Sequence, residues 1–205
     1  IAKGLESGFS PSQIVFSGVG KTKRELMIAL ESRISQINIE SPAELERVGQ
    51  LAKKLQTKAP VAFRMNPDVN PITHPYIKTG FRENKFGMDN SFLPELRKIL
   101  EMYKNEIELV GLTLHIGSQL RDLEATLEAV EKTLKVYEDI ISLGHSLKTF
   151  DIGGGLGVDY HSFETSAEYQ LIEEYGKRIL EMVKSQTFRL VCEPGRILVG
   201  RAGVL

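Results

Sequence analysis

The fold is decided by Phe150-Asp151-Ile152-Gly153-Gly154-Gly155-Leu156-Gly157, in which a short apolar strand runs directly into three consecutive glycines. Glycine has no Cβ, so it adopts positive φ at low cost and lets successive backbone N–H groups converge on an anion such as a phosphate. A tight turn from a strand into a helix would use the same residues. The stretch therefore predicts a strand followed either by an anion-binding loop or by a plain turn.

The composition is that of an ordinary globular chain. The 205 residues carry a net charge of −1, and 41% of them are hydrophobic and 26% charged, which is enough for a substantial core. Lys and Arg are mixed with the acids, so nothing indicates nucleic-acid binding, and no long apolar run predicts a membrane span. The single cysteine, Cys192, excludes an intrachain disulfide and favours a reducing, cytoplasmic location.

Six short segments rich in apolar and β-branched residues predict strands. They are Ile14–Ser17, Ile37–Glu40, Val61–Asn66, Leu109–Ile116, Thr149–Ile152 and Phe188–Glu193. Helical patterns alternate with these segments, and two of the helices begin with capping-box spacing, at Thr22 with Glu25 and at Ser41 with Glu44. Further helices are predicted over 93–103, 123–141 and 172–183, and a long irregular loop over 66–89.

Alternating strands and helices build a parallel sheet, either open and doubly wound or closed as a barrel. Polar or glycine-rich residues come directly after each predicted strand: Ser17-Gly18, Glu40-Ser41, Arg64-Met65-Asn66, His115-Ile116-Gly117-Ser118, Gly153 to Gly155, and Glu193-Pro194-Gly195-Arg196. This spread over many strand ends is typical of a barrel rim, whereas an open sheet concentrates such residues at one switch point. We predict one α/β domain over residues 1–205, a partial (β/α)8 TIM-type barrel. Because a barrel has eight strands, we expect two more before Ile1.

Three familiar motifs are excluded by single residues or by spacing. Gly20-Lys21-Thr22 is similar to the end of a phosphate-binding P-loop, but Val15 occupies the position of the first required glycine. Val158 likewise breaks the dinucleotide fingerprint that Gly153 could begin. The four histidines are scattered along the chain without metal-ligand spacing, so no metal site is predicted.

Together, the rim residues could hold a ligand that carries a phosphate group and a flat cationic ring. Pyridoxal phosphate is such a ligand. Gly153 to Gly155, the Ser118 hydroxyl and the Arg196 guanidinium all suit a phosphate. Glu193 ends an apolar strand, where burial would raise its pKa and require a cationic partner such as a pyridinium nitrogen. The imidazole of His115 is suited to stacking on such a ring.

Each of these residues also has an ordinary structural interpretation. His115 could be a core histidine bonded to the backbone. Glu193 could pair with Arg196 or Arg64, and Arg64 could be only a rim charge. Ser118 and Pro194-Gly195 suit common turns.

Three segments resemble the motifs of the fold-type III pyridoxal-phosphate-dependent decarboxylases, and they occur in that family's order. They are His115-Ile116-Gly117-Ser118-Gln119, Asp151 to Gly157, and Cys192-Glu193-Pro194-Gly195-Arg196. Four further segments resemble the diaminopimelate decarboxylase branch: Ile14 to Thr22, Arg64 to Val69, Thr73 to Gly80, and Lys85-Phe86-Gly87. The ornithine and arginine branches share the glycine run and the Glu-Pro-Gly-Arg element, so the Gly-Lys-Thr and Thr-His-Pro-Tyr segments do most of the separation.

The resemblance implies a pyridoxal 5'-phosphate site. The residues implied to bind the cofactor are Arg64, His115, Ser118, Gly153, Gly154, Gly155, Glu193, Pro194, Gly195 and Arg196. Among them, His115 would stack on the ring, Glu193 would pair with its nitrogen, and Arg196 would also meet a substrate carboxylate. The implied reaction is decarboxylation of meso-diaminopimelate to L-lysine, the last step of lysine biosynthesis, by a homodimer acting on an amino-acid substrate.

One element of that family has no counterpart in the chain. Its Schiff-base lysine lies in a Tyr-Ala-x-Lys-Ala-Asn type of segment, and Lys21, Lys85 and Lys148 do not match it. We therefore expect a barrel truncated at both ends, without the C-terminal β domain of the family, and inactive by itself. The alternatives are a polyamine-pathway decarboxylase acting on ornithine or arginine, and a lysine-less, non-catalytic barrel that binds a partner protein.

Overall fold

Strands and helices alternate through the described residues of the computed structural model, which are 1–69, 86–162 and 165–203. In chain order they are α1 (Ala2–Glu6), β1 (Val15–Phe16), α2 (Lys23–Glu31), β2 (Gln36–Ile39), α3 (Pro42–Leu55), β3 (Ala59–Met65), α4 (Leu93–Met102), β4 (Ile107–Leu114), α5 (Glu124–Ser142), β5 (Thr149–Asp151), α6 (Ser166–Val183), β6 (Arg189–Val191) and α7 (Arg196–Val199). Each predicted strand is present, with its ends within two residues of the prediction. Most of the predicted loop over 66–89 lies outside the described residues.

The six strands form one sheet in the order of the sequence, β1-β2-β3-β4-β5-β6. Every neighbouring pair is parallel. A doubly wound sheet would reverse its strand order at a switch point, whereas a barrel adds each strand beside the last one. The order therefore confirms the predicted fold class, a partial TIM-type barrel.

The sheet is curled, as a hydrogen bond across its concave face demonstrates. The Thr149 hydroxyl on β5 donates to Gln36 Oε1 on β2 over 2.6 Å, although the two strands are three positions apart. In a flat sheet these strands would lie about 14 Å apart. Gly111 on the intervening strand β4 makes room for this bond, since a Cβ there would lie 2.0 Å from the Thr149 hydroxyl oxygen.

The two faces of the sheet have different chemistry because side chains alternate along a strand. On β2, Ile37 and Ile39 belong to the hydrophobic core beneath the helices. Gln36 and Asn38 are equally buried but polar, and the Gln36 amide nitrogen donates to Asn38 Oδ1 over 2.7 Å. The apolar face thus packs on the helices, and the concave face contains hydrogen-bonded polar groups.

Both predicted capping boxes lie at helix starts, but one has an altered geometry. At α2, the Thr22 side chain accepts from Glu25 N and the Glu25 carboxylate accepts from Thr22 N. At α3, Ser41 accepts from Glu44 N over 3.3 Å, but the Glu44 carboxylate reaches one residue further back and accepts from Glu40 N over 2.8 Å. That contact ties the end of β2 to the first turn of α3.

We expect Gly111→Ala to destabilise the chain by more than the ~1–3 kcal/mol of ordinary overpacking. The new Cβ would meet both the hydroxyl and the carbonyl oxygen of Thr149, at 2.0 and 2.5 Å, and backbone cannot rotate away. Urea unfolding followed by circular dichroism measures the loss. The matched control is Gly176→Ala in α6, where nothing lies within 4 Å of the added Cβ and where alanine favours the helix by up to about 1 kcal/mol. Equal stability of the two variants would contradict the packing argument.

Candidate functional site

The carboxyl ends of β4, β5 and β6 bring three predicted site segments together. His115 comes directly after β4, Gly153 lies two residues beyond β5 and Glu193 lies two residues beyond β6. Backbone hydrogen bonds join their loops: Glu193 N donates to Gly153 O over 2.8 Å, and Leu120 N donates to Gly155 O over 2.8 Å. The three loops therefore form one continuous rim.

The glycine run fits where no other residue would. Gly153 and Gly155 have φ of +66° and +106°, in the left-handed region that side chains disfavour. A Cβ on Gly153, Gly154 or Gly155 would lie 2.0 to 2.4 Å from a carbonyl oxygen of β4 or of an adjacent loop. By contrast, Gly117 and Gly195 face open space. The rim is thus a close-packed backbone cradle with room on the side of Gly117 and Gly195, a shape that suits an anionic group such as a phosphate.

His115 is half-buried and carries a depressed pKa. Its Nδ1 accepts a hydrogen bond of 3.4 Å from Gly154 N, which sets the tautomer as Nε2–H. Burial lowers the pKa below its usual value of 6.5, the positive charge of Arg64 lowers it further, and Glu193 and Glu40 oppose that shift. The ring is therefore neutral at neutral pH, and a neutral flat ring can pack against a heteroaromatic ligand without charge repulsion.

The prediction that Glu193 is buried is wrong. Glu193 and the adjoining Pro194, Gly195 and Arg196 are all exposed, because β6 is the last strand of the described sheet and no further strand covers its free edge. An exposed carboxylate can still meet the nitrogen of a ligand ring on the rim, but its own desolvation does not demand a cation. The role of Glu193 in cofactor binding remains a prediction.

The buried carboxyl group of the rim is Asp151, which is fully buried on β5. Its Oδ1 accepts from Gly153 N over 2.9 Å, while Oδ2 has no partner among the described residues. Burial, and then the nearby charge of Glu193, raise its pKa from 3.8 to about 7. The sequence carried a signal for this group, since Asp151 alternates with the apolar Phe150 and Ile152 and so faces the concave side.

Arg64 is buried at the end of β3, and its partner differs from Glu193, the one considered from the sequence. Its Nη1 donates to Glu40 Oε1 over 2.7 Å, so its ion-pair partner is Glu40 and not Glu193. The alternative pairing of Glu193 with Arg196 stays a prediction. Arg196, the first residue of α7, donates to the hydroxyl of Tyr160 over 3.1 Å. Contacts of Arg196 with a phosphate or a substrate carboxylate, and of the exposed Ser118 with a phosphate, stay predictions.

The described residues offer neither a metal cluster nor a membrane-spanning helix. Among them, no group of three or more His, Cys, Asp and Glu side chains could hold a metal ion. Within the same residues, no helix is both long and apolar enough to cross a bilayer.

Comparisons with known proteins identify the family to which this chain is similar. A family model for the pyridoxal-binding domain of pyridoxal-dependent decarboxylases matches residues 1–200. The diaminopimelate decarboxylase of Aquifex aeolicus is 42% identical over 98% of this chain and 47% of its own length. That of Helicobacter pylori is 40% identical over 100% of this chain and 49% of its own length.

A solved structure shows the same likeness in three dimensions. The crystal structure of diaminopimelate decarboxylase from Helicobacter pylori complexed with L-lysine superposes with a TM-score of 0.82 and 38% identity, over 96% of this chain and 49% of that chain. The chain therefore spans about half the length of the curated relatives it matches.

We expect the free energy of unfolding to fall as the pH rises from about 4 to about 7, partly because of Asp151. Its folded pKa of about 7 lies above the usual 3.8, so the folded state binds the proton more tightly and stability is lost as that proton leaves. Asp151→Asn retains the acceptor for Gly153 N but cannot titrate, so its unfolding free energy should vary less with pH over this range. Urea unfolding at a series of pH values measures both slopes, and an unchanged slope in the variant would refute the assignment.

Proposed function

The chain belongs to the pyridoxal-dependent decarboxylase family, and on that premise we propose that it is the cofactor-binding half of a diaminopimelate decarboxylase. The observation that supports the proposal most is the 40 to 42% identity to diaminopimelate decarboxylases over 98 to 100% of the chain. The rim supports the proposal, since its glycine cradle, neutral imidazole and exposed Glu193 carboxylate are the groups that a phosphorylated pyridine needs.

Pyridoxal phosphate, when bound, supplies an electron sink for the carbanion that loss of CO2 leaves behind. The chain's own residues would bind and orient it. The loop of Gly153 to Gly155 and the side chains of Ser118 and Arg196 are assigned to the phosphate. Within that loop the N–H groups of Gly153 and Gly154 already donate to Asp151 and His115, so the phosphate would take the N–H group of Gly155. His115 is assigned to the ring face and Glu193 to the ring nitrogen, where a carboxylate keeps that nitrogen protonated.

Asp151 supports this assignment from beneath the loop. Its Oδ1 fixes Gly153 N, and its carboxyl group lies close enough to Glu193 for the two charges to interact. Because two neighbouring carboxylates resist carrying two charges, the raised pKa of Asp151 reduces the negative charge that a proton-free Asp151 would place beside Glu193. Arg64 would lie near the cofactor ring as a positive charge behind the residues that contact it.

Two of the lysines considered, Lys21 and Lys148, form ion pairs with glutamates. Lys21 is buried in an ion pair with Glu44, and Lys148 pairs with Glu108 before β5, while Lys85 lies outside the described residues. We therefore propose that the covalent link to the cofactor in the full-length protein is made by a lysine that is not one of these two. The same proposal assigns the enzyme to the cytoplasm, as a homodimer that takes an amino-acid substrate.

The substrate is tested by measuring CO2 release from the full-length protein with pyridoxal phosphate. We expect turnover of meso-diaminopimelate, with ornithine and arginine at least a hundredfold poorer, because a site built for a polar group of its substrate rejects analogues that lack it by large factors, of order 10⁴. Preferred release from ornithine or arginine would favour the polyamine-pathway alternative. Tight binding of pyridoxal phosphate without release from any of the three would favour the non-catalytic barrel.

Glu193→Gln should lower kcat of the full-length enzyme by about a hundredfold, as removal of one preorganised charge at a reacting centre does. The melting temperature of the 205-residue chain should change little, because the side chain is exposed there and exposed substitutions are within about 0.5 kcal/mol. Glu181→Gln, another exposed glutamate, whose partner is Lys184, is the control and should leave both quantities as they are. If Glu193→Gln turns over like the control, the ring-nitrogen assignment fails.

A further inference from the structure

The segment Gly20-Lys21-Thr22, which is not a P-loop, contains a buried amine. Lys21 is 4% exposed, and its Nζ lies 3.1 and 3.2 Å from the two carboxylate oxygens of Glu44 on α3. The same Nζ lies 5.7 Å from the centre of the Phe16 ring. A lysine is rarely buried this deeply, and its desolvation is offset only where geometry and partner are fixed.

The partner of Lys21 holds the end of a neighbouring strand. Glu44 Oε2 accepts both from Lys21 and from the backbone N–H of Glu40, the latter over 2.8 Å. Glu40 is the residue directly after β2, so the ion pair joins three elements: the loop after β1, the end of β2 and the first turn of α3. Its effect on the rim is to fix the backbone from which the Glu40 side chain projects.

Glu40 in turn holds the buried cation beside His115. Its Oε1 accepts from Arg64 Nη1 over 2.7 Å, and the two side chains are 9% and 10% exposed. Glu40 Oε2 and Arg64 Nε are both buried and have no hydrogen-bond partner in the described part of the chain. A pair that leaves a donor and an acceptor unused is not held by its own hydrogen bonds alone, so its geometry depends on the backbone at each end.

We infer that Glu44, whose buried charge Lys21 balances, is a positioning residue of the rim: by accepting from the backbone N–H of Glu40 it fixes the Glu40–Arg64 ion pair beside His115. The inference rests on the proposed function only for its consequence, namely that a displaced pair weakens binding of the cofactor ring. The positioning itself concerns the protein without any ligand. It gives the Gly-Lys-Thr segment a role that a phosphate-binding motif does not describe.

Two double variants of the full-length protein separate positioning from stability. Lys21→Met with Glu44→Gln removes both charges but retains a side-chain oxygen that can accept from Glu40 N. Lys21→Met with Glu44→Leu also removes both charges and loses that acceptor. Neither leaves an unpaired buried charge, and apolar replacements of buried ion pairs commonly fold, so the two proteins differ in the hydrogen bond that the inference depends on.

The first readout is the pKa of His115 in the protein without cofactor, measured by NMR. In the Gln variant it should equal the wild-type value. In the Leu variant Glu40 is released, its charge no longer raises the His115 pKa, and that pKa should fall. Tyr137→Phe, which removes a hydrogen bond to Leu147 O far from the rim, is the control for general destabilisation and should not move it. Equal His115 pKa values in the two double variants would overturn the inference.

The second readout is the dissociation constant for pyridoxal phosphate. We expect the Leu variant to bind about tenfold more weakly than the Gln variant, the effect of one lost hydrogen bond, and the Gln variant to match the wild type. Equal affinities of the two variants, with a lower melting temperature of the Leu variant alone, would show a purely structural role. If the wild type itself does not bind pyridoxal phosphate, the proposed function fails, and the NMR measurement still decides the positioning.

Discussion

The hydrogen bond from Thr149 to Gln36 is the contact on which the architecture depends. It joins β5 to β2 across the concave face, and it can form only because the sheet is curled and because Gly111 has no side chain. Curling turns the carboxyl ends of successive parallel strands toward one another instead of along a straight edge. Side chains from strands that are not neighbours of β4, such as Glu40 after β2 and Glu193 after β6, therefore act on His115 at the rim.

Charge at the rim comes from two pairs of residues. The Glu40–Arg64 pair is nearly buried. Its two members act in opposite directions on the pKa of His115, which Arg64 lowers and Glu40 raises. The other pair, Asp151 and Glu193, consists of two acids, of which the buried one titrates near pH 7. A flat, positively charged ring bound at the rim, as proposed, would meet a neutral imidazole and an ionisable carboxylate, two groups that suit a pyridine cofactor.

Much of the fold was predictable from the sequence, because strand positions depend on local apolar runs and the barrel class is indicated by the polar and glycine residues at the strand ends. The site was only partly predictable. A position at a strand end says which edge of the sheet a residue occupies, but not how much its neighbours cover it, so Glu193 was expected to be buried and Asp151 was overlooked. Alternation within Gln36 to Glu40 and Phe150 to Ile152 contained the missing information, since it places polar residues on the concave side.

The ion pair of Lys21 with Glu44 could not be predicted from motif spacing. Motif spacing tests residues near one another in the chain, whereas Lys21 and Glu44 meet 23 positions apart through the packing of α3. The capping-box pattern at Ser41 correctly placed the helix start, and only the three-dimensional contacts reveal that its carboxylate binds Glu40 N and Lys21 instead of Ser41 N.

The glycine run has a consequence for interpreting a saturation mutagenesis experiment on this chain. A side chain at Gly153, Gly154 or Gly155 would collide with a carbonyl oxygen of β4 or of another loop, so their substitutions would score as inactive even where the new side chain never reached a ligand. Gly117 and Gly195, which face open space, would report ligand contact more directly, although the positive φ of Gly117 adds a backbone cost there. Of these glycines, Gly195 is the one at which a loss of function would identify the binding surface.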